Sequence, residues 1–284
     1  MIISAIISLG SIGAIGAIIL YLVSVKFHVD EDPRIASVTE VLPGANCGGC
    51  GFPGCGAFAV ACVNAESLDD LTCPAGGSET MNLVAAILGK EAIIKEPKTA
   101  VIKCNGTCEV RPRIYQYDGA RKCAIMGIFY RGETGCSYGC YGFGDCAESC
   151  LFDAIRINQE TQLAEIIEEK CTSCGACVKV CPKKIIELRK KGPKSRRIYI
   201  ACVNKDKGSI AQKACANACI GCGKCLYECN FGAISITNNV AYIDDTKCRL
   251  CRKCTPVCPT GSILEINFLP RKEPAQIDNT YTAN

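Results

Sequence analysis

The sequence predicts an α+β protein: a single N-terminal transmembrane helix, a small helical cysteine-rich domain, and two tandem modules built on one plan. Three observations carry this reading. Residues 1–25 contain no charged side chain, the first being Lys26. Cys47, Cys50, Cys55 and Cys73 then gather four thiols within 27 residues. Beyond them the spacing C-x2-C-x2-C-x3-C-P occurs twice, over Cys171–Cys181 and Cys248–Cys258.

The chain has 26 cysteines among 284 residues, and this spacing decides what they do. It is the bacterial ferredoxin run, in which three thiolates hold one [4Fe–4S] cluster and the fourth ligates a neighbouring cluster. Disulfide frameworks belong to small secreted domains, and nothing here marks one. Zinc fingers set their C-x2-C pairs well apart, without a third thiolate three residues on.

Composition excludes most other chemistry. With one histidine, His28, and no tryptophan, histidine acid–base catalysis, Rieske ligation and two-histidine metal sites are ruled out. A G-x-G-x-x-G match at Gly49, Gly51 and Gly54 follows no predicted strand and encloses Cys50, so it is no dinucleotide fingerprint. No side chain stands out as an acid, base or nucleophile. The formal charge of +4 counts thiolates as neutral. Five clusters of charge about −2 each would bring it to about −6, a poor match for nucleic acid.

The apolar run extends about 37 Å as a helix, enough for a hydrocarbon core of about 30 Å. It lacks the basic n-region and short apolar core of a signal peptide. Ser4, Ser8, Gly10, Gly13, Ala14, Gly16 and Ala17 give it small surfaces suited to packing against partner helices. Lys26 and Arg34 follow the span, which places the C-terminal bulk in the cytoplasm. Reduced thiols agree with that compartment.

The expected divisions are an anchor (1–26), an N-terminal [4Fe–4S] domain (27–92), a first ferredoxin-like module with its lead-in (93–187), a basic linker (188–200), a second module (201–268) and a mobile tail (269–284). Asp30, Glu31, Asp32 and Pro33 form a polar link after the anchor. Helices are expected over 55–66 and 79–92, and a strand over Thr99–Lys103.

Cys47, Cys50, Cys55 and Cys73 form a self-contained cluster site, with glycines that let the backbone fold tightly around it. The rest is a duplication. Cys123, Cys136, Cys140, Cys146 and Cys150 share their offsets with Cys202, Cys215, Cys219, Cys225 and Cys229, but Phe143 stands opposite Cys222. Five residues after each fourth cysteine comes Ile155, Ile186, Ile234 or Ile263, as if one core position recurred. Crossed ligation then pairs Cys219, Cys222 and Cys225 with Cys258, and Cys248, Cys251 and Cys254 with Cys229. In the first module Cys171, Cys174 and Cys177 join Cys150. Cys136 is the expected substitute for the cysteine missing at Phe143, giving Cys136, Cys140, Cys146 and Cys181.

Six cysteines remain. Cys62 reads as packing, and Cys202 and Cys215 as relics or core residues. Cys104, Cys108 and Cys123 read as structural thiols, or as a further centre if a fourth ligand comes from elsewhere. The basic run Arg189–Arg197 reads as a solvated loop, or as a docking patch for an acidic redox partner.

An anchor helix, C-G-G-C-G-F-P-G-C-G-A-F-A, C-N-G-T-C, C-S-Y-G-C-Y-G-F-G-D-C and two ferredoxin runs, in that order, resemble the B subunit of the Rnf complex over nearly the whole chain. The resemblance implies a bacterial inner-membrane assembly, a translocase that passes electrons from reduced ferredoxin to NAD and exports Na+ or H+. Its other membrane and peripheral subunits would be partners, soluble ferredoxin the electron donor, and this chain a long form with two ferredoxin modules. The competing readings are an iron–sulfur subunit of a hydrogenase or dehydrogenase, and a zinc-binding adaptor.

Overall fold

The structure, a computed structural model, describes residues 2–26, 32–91, 96–129 and 131–271. Asp30 and Glu31 of the polar link, and 272–284 of the expected tail, lie outside the described residues. Helix α1 runs unbroken over Ile2–Lys26, with side chains described at positions 10, 13–23, 25 and 26. Among the described residues no helix is long and apolar enough to cross a membrane.

Three helices, α2 (Pro33–Val41), α3 (Cys55–Asn64) and α4 (Gly77–Leu88), form the N-terminal domain. Pro33 opens α2, where its missing N–H costs nothing, and the Asp32 side chain accepts from the Arg34 amide. Val38, Phe58, Cys62, Leu68, Met81 and Val84 fill the core between the helices. Both later helices end earlier than the apolar pattern suggests. Gly89 (φ 64°) turns the chain out of α4 in the left-handed conformation. Lys90 Nζ then donates to the carbonyls of Cys62 (2.8 Å), Val63 (3.2 Å) and Ala65 (2.5 Å), closing the C-terminus of α3.

The two modules repeat one topology. In the first, β1 (Lys98–Ile102) pairs antiparallel with β4 (Ile186–Lys190), and β2 (Ile155–Ile157) with β3 (Ala164–Ile166). Short helices α5 (Cys123–Phe129), α6 (Asp145–Glu148) and α7 (Ala176–Val180) carry cysteines between them. In the second, β5 (Arg197–Ile200) pairs with β8 (Ile263–Ile266), and β6 (Ile234–Thr237) with β7 (Val240–Ile243). Helices α8 (Gly208–Ala214) and α9 (Lys224–Tyr227) lie between. Ile155, Ile186, Ile234 and Ile263 each open a strand and are buried, so the recurring isoleucine is a recurring core position.

The segment 188–200 is not a solvated linker. Arg189 belongs to β4 and Arg197 to β5, and both are buried. Arg189 pairs with Glu187 (2.7 Å) and donates to the Ile243 carbonyl of the second module. Arg197 pairs with Glu168 of the first module. The guanidinium groups thus tie the modules together, and Val101 packs in one cluster with Tyr199, Ala201, Leu264 and Ile266. Charge in this run is spent on the module interface because the two outer strand pairs lie against each other, which spacing alone does not reveal.

Candidate metal centres

Cys47, Cys50, Cys55 and Cys73 surround one hollow of about 320 Å³, floored by Leu42, Phe58 and Pro74. The loop is built for close approach: Gly48 and Gly51 take φ of +66° and +89°, and the Asn46 side chain accepts from the Cys55 amide (2.8 Å). The Gly76 amide donates to Cys73 Sγ (3.3 Å). Burial raises the Cys73 thiol, while the Gly76 and Ala75 amides act the other way.

Each C-terminal ferredoxin run sends its last cysteine across to the other site of its module. Cys219, Cys222 and Cys225 share a hollow of about 320 Å³ with Cys258, walled by Ile200, Ala241 and Ile263. The Ala241 amide donates to Cys219 Sγ (3.4 Å). Burial acts to raise Cys258, but Ser262 and Thr260 hydrogen bonds prevail and hold its thiol below the usual range. Cys248 lies beside Cys251 and Cys229, and Cys254 is pushed up to about 11 by burial and by Cys248, Cys225 and Cys251. In the first module Cys177 is pushed up to about 12 by burial and by Cys171, Cys174 and Cys150. The Ala154 amide donates to Cys150 Sγ (3.3 Å).

The fifth grouping differs from the one expected. The hollow with Cys140, Cys146 and Cys181, about 400 Å³, is completed by Cys123 and not by Cys136. Ile102, Ala164 and Ile186 wall it as Ile200, Ala241 and Ile263 wall its counterpart. Asp145 is the reason. Its buried carboxylate accepts from the amides of Cys123 (2.8 Å) and Ala124 (2.9 Å), pinning the start of α5 over the site. Those hydrogen bonds hold the Asp145 carboxyl below its usual range although burial acts to raise it. Cys146 is pushed up to about 12 by burial, then by Cys123 and Cys181. Phe143 leaves the ligand position and stacks between Tyr141 (6.3 Å) and Tyr117 (6.2 Å).

Cys136 lies in a separate hollow with Cys104, Cys202 and Cys215. The grouping of Cys104, Cys108 and Cys123 does not form: Cys108 is exposed and donates to the Glu160 carbonyl (2.9 Å). Cys62 is wholly buried in the N-terminal core. Among the described residues no group of three His, Cys, Asp or Glu is close enough to hold a single metal ion. A four-iron cubane sets its thiolates further apart than one zinc ion does.

The N-terminal hollow touches the first module. A Cβ on Gly49 would stand 2.9 Å from Cys174 Cα and from its carbonyl oxygen. Cys146 and Cys177 adjoin within the first module, as do Cys225 and Cys254 within the second.

Comparison with known proteins finds iron–sulfur domains over these regions. Residues 42–74 match a family described as a putative Fe–S cluster, and residues 134–185, 218–262 and 170–232 match 4Fe–4S dicluster domains. The B subunit of a Na(+)-translocating ferredoxin:NAD(+) oxidoreductase complex of Acetobacterium woodii is 43% identical over 90% of this chain and 75% of its own length. The B subunit of an ion-translocating oxidoreductase complex of Methanosarcina acetivorans is 35% identical over 93% and 98%. The B subunit of a proton-translocating ferredoxin:NAD(+) oxidoreductase complex of Clostridium ljungdahlii is 36% identical over 90% and 89%. The chain belongs to this family of Rnf complex B subunits and is an iron–sulfur electron-transfer subunit of such a complex.

Proposed function

We propose that the chain is a membrane-anchored electron relay that accepts electrons from reduced ferredoxin and hands them to partner subunits of an assembly that reduces NAD and exports Na+ or H+. The observation that carries this reading is the set of five cysteine quartets, which adjoin within each module and between the N-terminal domain and the first module. They are Cys47, Cys50, Cys55 and Cys73; Cys150, Cys171, Cys174 and Cys177; Cys123, Cys140, Cys146 and Cys181; Cys219, Cys222, Cys225 and Cys258; and Cys229, Cys248, Cys251 and Cys254.

Clusters bound there supply single-electron transfer. The chain's residues do the rest. Thiolates fix the positions, amides of Gly76, Ala154 and Ala241 donate to sulfur, and apolar walls exclude water. The sequence of residues 1–25, uncharged before Lys26, supports a single-pass anchor in a bacterial inner membrane with the clusters on the cytoplasmic side.

Anaerobically purified full-length protein should contain at least about 20 irons and as many sulfides per chain. Reduced ferredoxin should bleach its absorbance near 400 nm. A colourless zinc protein, or an iron protein that ferredoxin cannot reduce, would sink the reading.

A further inference from the structure

The five quartets leave a break in the relay. The adjoining pairs described above lie within a module or join the N-terminal domain to the first module, whereas the Cys140 site belongs to the first module and the Cys219 site to the second. The hollow between them, about 310 Å³, is lined by Cys104, Cys136, Cys202 and Cys215 together with Arg111 and Asn204.

Each module contributes two of these thiols from equivalent places. Cys104 comes two residues after Ile102, the end of β1, and Cys202 two residues after Ile200, the end of β5. The chain leaves both strands alike: the Lys103 amide donates to the Ile185 carbonyl and the Ala201 amide to the Ser262 carbonyl (both 2.7 Å). Cys136 precedes Cys140 by four residues, as Cys215 precedes Cys219. The hollow therefore sits where the duplication places two half-sites face to face.

Polar groups point at its sulfurs. The Cys140 amide donates to Cys104 Sγ (3.4 Å), and the Cys219 amide is hydrogen-bonded to the Cys202 thiol in the same way. Asn204, 1% exposed, donates from its backbone to Cys202 Sγ (3.5 Å) and from Nδ2 to Cys136 Sγ (3.6 Å). Arg111 is buried beside Cys136 and Cys215, held by the carbonyls of Gly106 (3.2 Å) and Cys140 (2.9 Å). Thiols that merely fill a core attract neither donors nor a buried cation. Four thiolates around an iron–sulfur core carry about −2, which a buried guanidinium complements.

We propose that Cys104, Cys136, Cys202 and Cys215 hold a sixth [4Fe–4S] cluster shared by the two modules, linking the Cys140 site to the Cys219 site. On assembly the four thiols release four protons and bond one iron each. A cluster held there would take one electron from a reduced cluster of one module and pass it to an oxidised cluster of the other, returning to its 2+ state. This rests on the reading of the chain as an iron–sulfur relay.

The test is iron, sulfide and zinc content of the anaerobically purified full chain, with variants Cys104→Ala, Cys202→Ser and Cys215→Ala, and Cys222→Ala as the reference for loss of the Cys219 quartet. Wild type is expected to hold about 24 irons, and each interfacial variant about four fewer. Wild type with about 20 irons, interfacial variants matching wild type, or one bound zinc lost with Cys104 would overturn the sixth site. The wild-type count decides the matter even if a variant misfolds. A sixth-site failure with intact Cys222-dependent iron leaves the relay standing, whereas absence of iron throughout removes both.

Discussion

Gly49 lies against the backbone of Cys174 so closely that a methyl group would stand 2.9 Å from Cys174 Cα. The contact joins the loop of one cysteine quartet to the loop of another across a domain boundary. Since the obstructing atoms are backbone, a side chain at 49 must push the domains apart. Gly49→Val should keep full iron content and yet slow electron exchange between the N-terminal centre and the first module, read by freeze-quench spectroscopy. Wild-type exchange in this variant would show that electrons take another route.

Cys123 stands in for the ligand that Phe143 does not supply. Cys123→Ser should cost about four irons per chain. Adding Phe143→Cys to that variant recreates the spacing of Cys219, Cys222 and Cys225, and should restore the lost iron. Retention of all iron by Cys123→Ser would refute the assignment.

Ser262 is buried and its hydroxyl lies 3.4 Å from Cys258 Sγ, while Ile185 occupies the corresponding place near Cys181. Hydrogen bonds to ligand sulfur stabilise the more negative, reduced cluster and raise its potential. Ser262→Ala should therefore lower the potential of the Cys219 centre without changing iron content. A redox titration followed by electron paramagnetic resonance checks this, and an unchanged potential would remove the hydroxyl from the tuning of that site.

Arg189 is 2% exposed and joins Glu187 to the Ile243 carbonyl. Its truncation removes the guanidinium bond to the Ile243 carbonyl and leaves Glu187 with Lys103 (2.7 Å) as its remaining cation, and Arg189→Ala should lower stability by about 2 kcal/mol in urea unfolding. Within the same basic run only Pro193 and Lys194 are exposed. Lys194→Glu should accordingly leave the rate of reduction by ferredoxin unchanged at low salt. A large drop would restore this run as a docking patch.

Spacing made four of the five proposed quartets legible: in three, C-x2-C-x2-C fixes three ligands on one turn of chain and crossed ligation follows from the ferredoxin plan, and in the fourth, C-x2-C-x4-C-x17-C supplies all four thiols locally. It misplaced Cys136 and Cys123 because the duplication was aligned on cysteines. Aligned on strands, Ile102 matches Ile200 and Cys104 matches Cys202, and the residues between Cys108 and Cys136 become an insertion that carries Cys123. The carboxylate of Asp145 that seats Cys123, and the burial of Arg189 and Arg197, depend on contacts between distant segments. No local period announces them.

Cys62 offers a test of burial by pH. Its thiol, 0% exposed in the N-terminal core, is pushed up to about 11 from an ordinary value of 9.0, chiefly by burial. A raised folded value means that the unfolded chain releases this proton first as pH rises. The stability tied to the neutral thiol is complete below pH about 9 and is lost on approaching pH about 11, by about 2–3 kcal/mol. In the cluster-loaded protein the ligand thiols are already ionised, which leaves Cys62 as the group that distinguishes wild type from Cys62→Ala. The variant should be less stable at pH 8, from the small cavity it leaves, and should decline less steeply between pH 9 and 11 in anaerobic urea unfolding. Its iron content should equal that of wild type. Parallel declines in the two proteins would show that the thiol does not titrate in this window.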